Sequence, residues 1–285
     1  MCRPLEVTLY FLEMKKIINL ITSVLLCATV FGQINDVSLK STEEFAIASK
    51  AVNDTFYIQI SLPNNYYNAD NQYPIIYLLD SDPSFGMVKG ITWWLNFGQL
   101  IPEVIIVGIA YKKGWWQKRS RDYTPTEDKA KNWGDWPLAG GADNFIDFLS
   151  DELNPKLREY RIDWSDKTII GVSFGGLLIT YTLLTRPELF DNYISISPAL
   201  IWNNNYLLTL SLDNLQNKKS ESFVFTAVGE LDEEKITEPW KSFNLYIREK
   251  DFENLVWNSV MYENQTHVSV FPIAISDGLR TLFKE

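Results

Sequence analysis

The sequence has few of the residues from which disulfides, metal sites and nucleic-acid surfaces are built. Its only two cysteines, Cys2 and Cys27, lie near the N-terminus, so the remaining chain can form neither a disulfide nor a thiolate metal site. No run of Lys and Arg offers a basic surface, and the formal net charge is −10, which argues against nucleic acid as a partner. No internal repeat or Gly/Ser/Pro-rich linker divides the chain, so one domain is expected.

The N-terminus has the parts of a secretory signal peptide. Lys15 and Lys16 precede an apolar stretch at 17–31, and Gly32 follows as a small residue at a cleavage position. The apolar stretch is 15 residues long, whereas a membrane-spanning helix needs roughly 20. The pattern therefore favours a signal peptide over a membrane anchor.

We accordingly expect residues 1–32 to be a signal peptide, with Met14 as an alternative start, and residues 33–285 to be the mature domain. Lipid attachment through Cys27 is disfavoured because the bulky Leu26 precedes it. The predicted location is the periplasm or the cell exterior, with no stable membrane span after cleavage.

Short apolar runs alternate with helical patterns along the mature chain. The runs predict strands at 56–62, 73–80, 103–111, 167–173, 192–197, 222–229 and 255–262. Helical spacing is found at 144–153, directly after Ser173, at 235–249 and at 271–284. This alternation predicts an α/β fold with a mainly parallel central sheet and helices on both faces. An antiparallel hairpin is expected near 36–62, at one edge of the sheet.

A serine lies between glycines where a predicted strand meets a predicted helix. The sequence Gly171-Val172-Ser173-Phe174-Gly175 has the spacing of the G-x-S-x-G elbow, which presents a nucleophilic hydroxyl above a sheet on a tight, strained turn. The motif arises by chance in roughly one chain in ten of this length. Its position between a predicted strand and a predicted helix is therefore stronger evidence than the sequence match itself. The placement predicts Ser173 as a catalytic nucleophile.

The chain contains one histidine, His267, between the last predicted strand and the last predicted helix. A serine nucleophile needs an imidazole to accept its proton, and α/β-hydrolases order these residues as serine, acid, histidine. The acid is expected in AVGELDEE, after the penultimate strand, with Asp232 as first choice and Glu230 and Glu233 as alternatives. A Ser–His dyad without an acid is a further alternative.

Backbone N–H groups near the nucleophile are needed to stabilise the oxyanion of an acyl-transfer intermediate. One is expected from Phe174, directly after Ser173, and the other from Asp82, in the loop after the strand at 73–80. These two residues form the predicted oxyanion hole.

Several segments match one family of hydrolases in the expected order. They include YPIIYLLDSD, YRIDWSDKTIIGVSFGG, LLTRPELFDNYISISPALIWNN, VGELDEE and THVSVFPIAISDGLRTLF, which span most of residues 73–284. With them the chain resembles the esterase D-type family of α/β-hydrolases, especially its siderophore (enterobactin-type) esterase branch. The resemblance implies an α/β-hydrolase fold, ester hydrolysis without a metal or cofactor, and Ser173 with His267 as the catalytic pair. The chain departs from the family in having Ser81 where glycine is frequent and Val172 where histidine is frequent.

The region 114–141 is predicted to be a loop that contributes to substrate binding. Six of the ten tryptophans lie between residues 93 and 136, and their indoles either stack on sugar or aryl groups or pack against the core. Trp202, after another strand end, is a candidate substrate-binding residue. Arg121 either orients the substrate or pairs with Asp122.

The sequence thus predicts an exported serine esterase that acts through an acyl-enzyme on a small-molecule or carbohydrate-linked ester. An acyltransferase with the same residues is an alternative, because both reactions begin with the same acyl-enzyme. A catalytically inactive, glycan-binding protein with this fold is another.

Overall fold

The N-terminal part of the protein forms a unit of its own. The computed structural model describes residues 4–28, 38–68, 70–131 and 134–284, and it divides the chain into two units, one up to Lys40 and one from Ser41 onward. The first unit contains helix α1 (Pro4–Ala28). Within the described ranges, no helix is both long and apolar enough to cross a membrane. The predicted cleavage position after Gly32 lies outside the described residues.

The second unit is built on one eight-stranded sheet. Its strands are β1 (Thr42–Ser49), β2 (Asp54–Ser61), β3 (Tyr73–Leu78), β4 (Ile105–Ala110), β5 (Ile162–Val172), β6 (Asn192–Ile196), β7 (Ser222–Gly229) and β8 (Leu255–Tyr262). Their order across the sheet is β1-β2-β4-β3-β5-β6-β7-β8. β1 and β2 form an antiparallel hairpin, β2 pairs antiparallel with β4, and the remaining pairs are parallel. The predicted mainly parallel α/β fold is confirmed.

Helices connect the strands and cover the sheet. They are α2 (Ser81–Phe97), α3 (Trp115–Asp122), α4 (Ala142–Asp147), α5 (Asn154–Leu157), α6 (Phe174–Thr185), α7 (Trp202–Asn205), α8 (Asp213–Gln216), α9 (Glu234–Arg248) and α10 (Val270–Leu282). A π-helical turn (Phe148–Leu153) joins α4 to α5, and 3₁₀ turns occur at Tyr66–Asn68 and Tyr206–Thr209.

Two apolar cores separate these helices from the sheet. On one face α2 and α10 pack on the sheet through residues such as Val88 and Ile275, while α4, α6 and α9 supply Phe145, Leu177 and Phe243 to the other core. Because helices cover both faces of the sheet, its central strands are buried on both faces. All residues of β4 and β6 are accordingly buried.

Helix α3 lies inside the region predicted to be a loop, so that prediction was wrong for residues 115–122. The buried residues of α3 are Arg119, Ser120 and Asp122. Helix prediction relies on apolar residues at helical spacing, and a helix that buries polar side chains gives no such pattern. These buried polar groups must instead find partners, and the partner of Arg119 proves to lie next to the serine elbow.

Because β3, β5, β7 and β8 run parallel, the residues that follow them reach the same edge of the sheet. Those residues include Asp80, Ser173, Asp232 and His267. The candidate active site is therefore assembled at the carboxyl edge of the sheet from segments far apart in sequence.

Candidate active site

Ser173 occupies the sharp turn between β5 and α6. Its φ of 62° and ψ of −117° are a conformation that non-glycine residues rarely adopt and that persists only when its surroundings enforce it. The Ser173 N–H donates to the carbonyl oxygen of Ile196 at 2.9 Å, and the Ala199 N–H donates to the carbonyl oxygen of Ser173 at 3.1 Å. These backbone bonds to β6 and the loop after it hold the turn in place.

The two glycines of the motif allow this turn to close. A Cβ atom on Gly171 would lie 3.0 Å from the carbonyl carbon of Gly175 and 3.0 Å from Leu79 Cδ1. A Cβ on Gly175 would lie 3.3 Å from Asp80 Oδ2. The small residues flanking Ser173 are thus required by the close approach of β5, α6 and the end of β3.

Asp232 and His267 are hydrogen-bonded to each other. His267 Nδ1 lies 3.0 Å from both carboxylate oxygens of Asp232. The Asp232 side chain is buried, whereas the imidazole is partly exposed. A carboxylate in this position holds the proton on Nδ1 and leaves Nε2 able to accept one.

The loop that carries His267 is attached to the turn that carries Asp232. The Leu231 N–H donates to the carbonyl oxygen of Gln265 at 2.8 Å, and the Asn264 N–H donates to Glu230 Oε2 at 3.1 Å. A Cβ on Gly229 would lie 2.2 Å from that same Gln265 oxygen. Gly229 therefore leaves the space through which the histidine loop passes over the end of β7.

The two alternative acids have other partners. Glu230 binds the backbone of the histidine loop, as described, and Glu233 is exposed and forms an ion pair with Lys235 at 2.8 Å. Of the three carboxylates weighed from the sequence, Asp232 is the one bonded to His267.

Within the described residues, Ser173 is not part of this hydrogen-bonded pair. Among the described residues, no hydrogen bond joins Ser173 Oγ to His267, and Ser173 is partly exposed. Catalytic hydrogen bonds are frequently long in unliganded enzymes and shorten when substrate binds.

A buried ion pair that the sequence analysis did not identify adjoins the elbow. Arg119 Nε donates to Asp80 Oδ1 at 2.6 Å and Arg119 Nη2 donates to Asp80 Oδ2 at 2.7 Å. Both side chains are buried. Burial lowers the pKa of the guanidinium, but the adjacent Asp80 carboxylate outweighs this and raises that pKa above its usual value. Arg119 is therefore a permanently charged group inside the protein.

Arg119 contacts the residues on both sides of the nucleophile. Its Nη2 donates to the carbonyl oxygen of Val172 at 3.2 Å, and its Cζ lies 5.3 Å from the centre of the Phe174 ring. The indole Nε1 of Trp115 donates to Asp80 at 2.9 Å. The sequence signal for this arrangement is an aspartate at the end of the apolar run 73–80, because a buried carboxylate requires a partner.

Asp82 and Ser81 lie in the first turn of α2. The Asp82 carboxylate accepts the N–H groups of Tyr111 at 2.8 Å and Lys112 at 2.7 Å, so its side chain binds the segment after β4. Ser81 is buried and its hydroxyl bonds to Gln59. That bond gives the buried hydroxyl of Ser81 a polar partner. The oxyanion role expected of the Asp82 backbone stays a prediction.

The two candidate substrate-binding residues have protein partners. Arg121 donates to Asp122 at 2.6 and 2.9 Å and to Asp54 at 3.0 Å, which is the pairing weighed as its alternative role. Trp202 is fully buried, its Nε1 donates to the carbonyl oxygen of Thr126 at 3.2 Å, and its ring lies 5.3 Å from that of Phe174. The structure thus brings Trp202 to the elbow from the interior.

A series of aromatic rings extends from the buried Phe174 at the elbow toward solvent. The ring of Phe174 lies 5.2 Å from Trp136, which lies 5.9 Å from Trp116. Trp116 is exposed, and Trp136 is partly buried against the core. We refer to Trp116 and Trp136 as the indole wall.

With this geometry established, comparison with known proteins identifies the family. The family described as "Putative esterase" matches residues 49–271, most of the chain. The chain belongs to this esterase family. It is an ester-hydrolysing enzyme, and its fold is that of the α/β-hydrolases.

Relatives and solved structures of similar sequence agree with this assignment. Ferri-bacillibactin esterase BesA of Bacillus subtilis is 29% identical over 269 residues, which cover 87% of this esterase and 92% of BesA. The structure of the BES protein from Bacillus cereus is 29% identical, with a TM-score of 0.79 over 88% of this chain and 98% of that one. An IroE-like serine hydrolase from Shewanella oneidensis is 28% identical, with a TM-score of 0.77 over 85% and 80% of the respective chains.

Proposed function

We propose that this esterase is an exported serine hydrolase that cleaves carboxylic esters through an acyl-enzyme on Ser173. The observation that carries the proposal is the 3.0 Å contact between His267 Nδ1 and Asp232 at the sheet edge that also bears Ser173. The strained backbone of Ser173 supports it, since strain of this kind concentrates at functional sites. A relative of similar fold is described as a serine hydrolase.

The reaction follows from the order of proton transfers. As Ser173 Oγ attacks the ester carbonyl carbon, His267 Nε2 takes the hydroxyl proton, and the carbonyl oxygen becomes an oxyanion. When the bond to the leaving oxygen breaks, the imidazolium returns that proton to the alkoxide, and an alcohol departs. Water then attacks the acyl-enzyme with His267 again as the base, which releases the acid and restores Ser173.

Charge on the oxyanion is stabilised from two directions in this proposal. Phe174 begins α6, and the N-terminal turn of a helix presents backbone N–H groups and a partial positive charge to the adjacent residue, here Ser173. Arg119, whose charge is paired with the Asp80 carboxylate, contacts Val172 and Phe174 on either side of Ser173. The backbone of Asp82 is the second N–H donor expected from the sequence.

For the substrate we propose a small-molecule ester with aryl groups, of the siderophore type. BesA, similar over nearly its whole length, is named for its action on ferri-bacillibactin. The indole wall supports the proposal because the exposed Trp116 and the partly exposed Trp136, which lead away from the elbow, suit stacking on aromatic rings.

A fluorophosphonate probe combined with an ester screen tests the proposal. We expect the probe to label the wild-type protein at Ser173, as located by peptide mass spectrometry, and not the Ser173→Ala variant. The screen covers p-nitrophenyl esters, feruloyl sugars and catecholate lactones, with Ser173→Ala as the blank. Folded wild-type protein that takes up no probe would contradict the serine mechanism.

Export is the part of the proposal that depends on the N-terminal sequence alone. Lys15 and Lys16 followed by the apolar residues 17–31 support a cleaved signal peptide. We expect protein from the periplasm or medium to begin at Gln33 when its N-terminus is sequenced. A cytoplasmic protein that retains residues 17–31 would contradict export.

A further inference from the structure

Two exposed apolar side chains adjoin the Asp232–His267 pair. Leu231 directly precedes Asp232 and is 59% exposed, and Val268 directly follows His267 and is 78% exposed. Exposed apolar surface marks ligand sites when it is contiguous, and these two residues directly flank the two members of one hydrogen-bonded pair. We call Leu231 and Val268 the apolar lip.

The lip is fixed to the catalytic pair on both sides. The Leu231 N–H is bonded to the Gln265 carbonyl oxygen at 2.8 Å, and the Asp232 N–H to the Gly229 carbonyl oxygen at 3.2 Å. On the histidine side, the Val270 N–H donates to the carbonyl oxygen of Thr266 at 3.1 Å, which closes the turn that contains Val268. The backbone at Leu231 and the loop that carries His267 and Val268 are therefore held together, so both exposed side chains belong to the segments that position the imidazole.

The chemistry of the proposed reaction decides which half of the ester lies there. His267 must give its proton to the leaving alkoxide, so the oxygen of the leaving alcohol lies within hydrogen-bond reach of the imidazole. The acyl half, in contrast, is bonded to Ser173 and extends from the elbow, where Phe174 leads to the indole wall. The alcohol half is consequently the part of the substrate nearest the lip.

We infer that Leu231 and Val268 contact the leaving alcohol of the substrate and select for esters whose alcohol is bulky and apolar. This inference rests on the proposed function, since it uses His267 as the general acid. Neither side chain takes part in proton transfer. They act by removing apolar surface of the alcohol from water when the ester binds and reacts.

Esters that share one acyl group isolate this effect. Phenyl acetate and 2-naphthyl acetate give the same acetyl-enzyme, so deacylation is identical and kcat/KM reports only events up to departure of the alcohol. We expect the wild type to prefer 2-naphthyl acetate. In Leu231→Ser and in Val268→Ser, the ratio of kcat/KM for the naphthyl over the phenyl ester should fall by roughly 3- to 10-fold, as expected when one apolar contact of a methylene or two is lost.

Leu245→Ser is the matched control. Leu245 is 61% exposed, much like Leu231, but it lies near the opposite end of α9 from the turn that carries Asp232. Its substitution should leave the naphthyl-to-phenyl ratio at the wild-type value. Val268→Thr keeps the shape of valine but makes it polar. A lower naphthyl-to-phenyl ratio in this variant would show that the polarity of the lip, and not its volume, is responsible.

The possible results separate the inference from the function on which it rests. An unchanged ratio in both serine variants, with probe labelling of Ser173 intact, would overturn the role of the lip and leave the serine mechanism standing. An equal loss on both esters would also overturn it, because the lip would then only support the histidine loop. Hydrolysis of neither ester by the wild type, together with no labelling of Ser173, would overturn the lip and the proposed function alike.

Discussion

Replacement of Asp232 by asparagine should lower kcat for ester hydrolysis about 10³- to 10⁴-fold. The Asp232 carboxylate is buried and accepts from His267 Nδ1 at 3.0 Å, so it both selects the tautomer and stabilises the imidazolium. An amide of the same shape offers its NH₂ group to Nδ1 as readily as its oxygen, which favours the tautomer that cannot accept the serine proton. Steady-state kinetics on p-nitrophenyl acetate would measure the loss.

Glu233→Gln is the control for that experiment. It makes the same carboxylate-to-amide change one residue later, on a side chain that is exposed and paired with Lys235, and we expect activity within about threefold of the wild type because exposed ion pairs contribute little. A loss smaller than tenfold in Asp232→Asn would instead favour the Ser–His dyad that the sequence also allowed.

The sequence predicts the positions of residues that follow recognisable strands, but not the contacts that depend on how the loops pack. Ser173, Asp232 and His267 follow strands, and a parallel sheet sends such residues to one edge. Their approximate positions could be deduced once the strands were recognised from their apolar runs. The sequence ranked Asp232 ahead of Glu230 and Glu233 as the partner of His267 but could not decide among them, because the bond depends on the loop that crosses Gly229.

The Asp80–Arg119 pair illustrates what the sequence could not supply. The two residues are 39 positions apart and meet only because α3 packs beside the end of β3. Helix α3 was itself missed, since its buried face is polar. The sequence offered Asp122 as a partner of Arg121, but it gave no sign of the bonds from Arg121 to Asp54 and from Trp202 to Thr126, which join residues far apart along the chain. Pairs of polar residues produce no periodic pattern in the sequence, so they cannot be predicted in the way that apolar strands and helices can.

Replacement of Arg119 by methionine should reduce both stability and activity. Methionine fills much of the same volume but leaves the Asp80 carboxylate buried without its cation, a loss of about 3–5 kcal/mol in the free energy of unfolding. If the guanidinium also stabilises the oxyanion, kcat should fall about 10²- to 10³-fold. Urea unfolding and the hydrolysis of p-nitrophenyl acetate by the folded fraction measure the two effects.

A double variant distinguishes the electrostatic role from the structural one. In Arg119→Met/Asp80→Asn no buried charge is left unpaired. Asparagine tolerates the left-handed backbone at position 80, where φ is 53°. Its side-chain oxygen can still accept from Trp115 Nε1, as Asp80 does.

In this double variant, the free energy of unfolding should recover most of the loss seen in Arg119→Met, because neutral replacement of a buried pair costs far less than removal of one partner. If the guanidinium stabilises the oxyanion, activity should stay low in this variant, since that group is still missing. If activity returned along with stability, Arg119 would serve only to hold the elbow, and the backbone N–H groups of Phe174 and Asp82 would have to stabilise the oxyanion unaided.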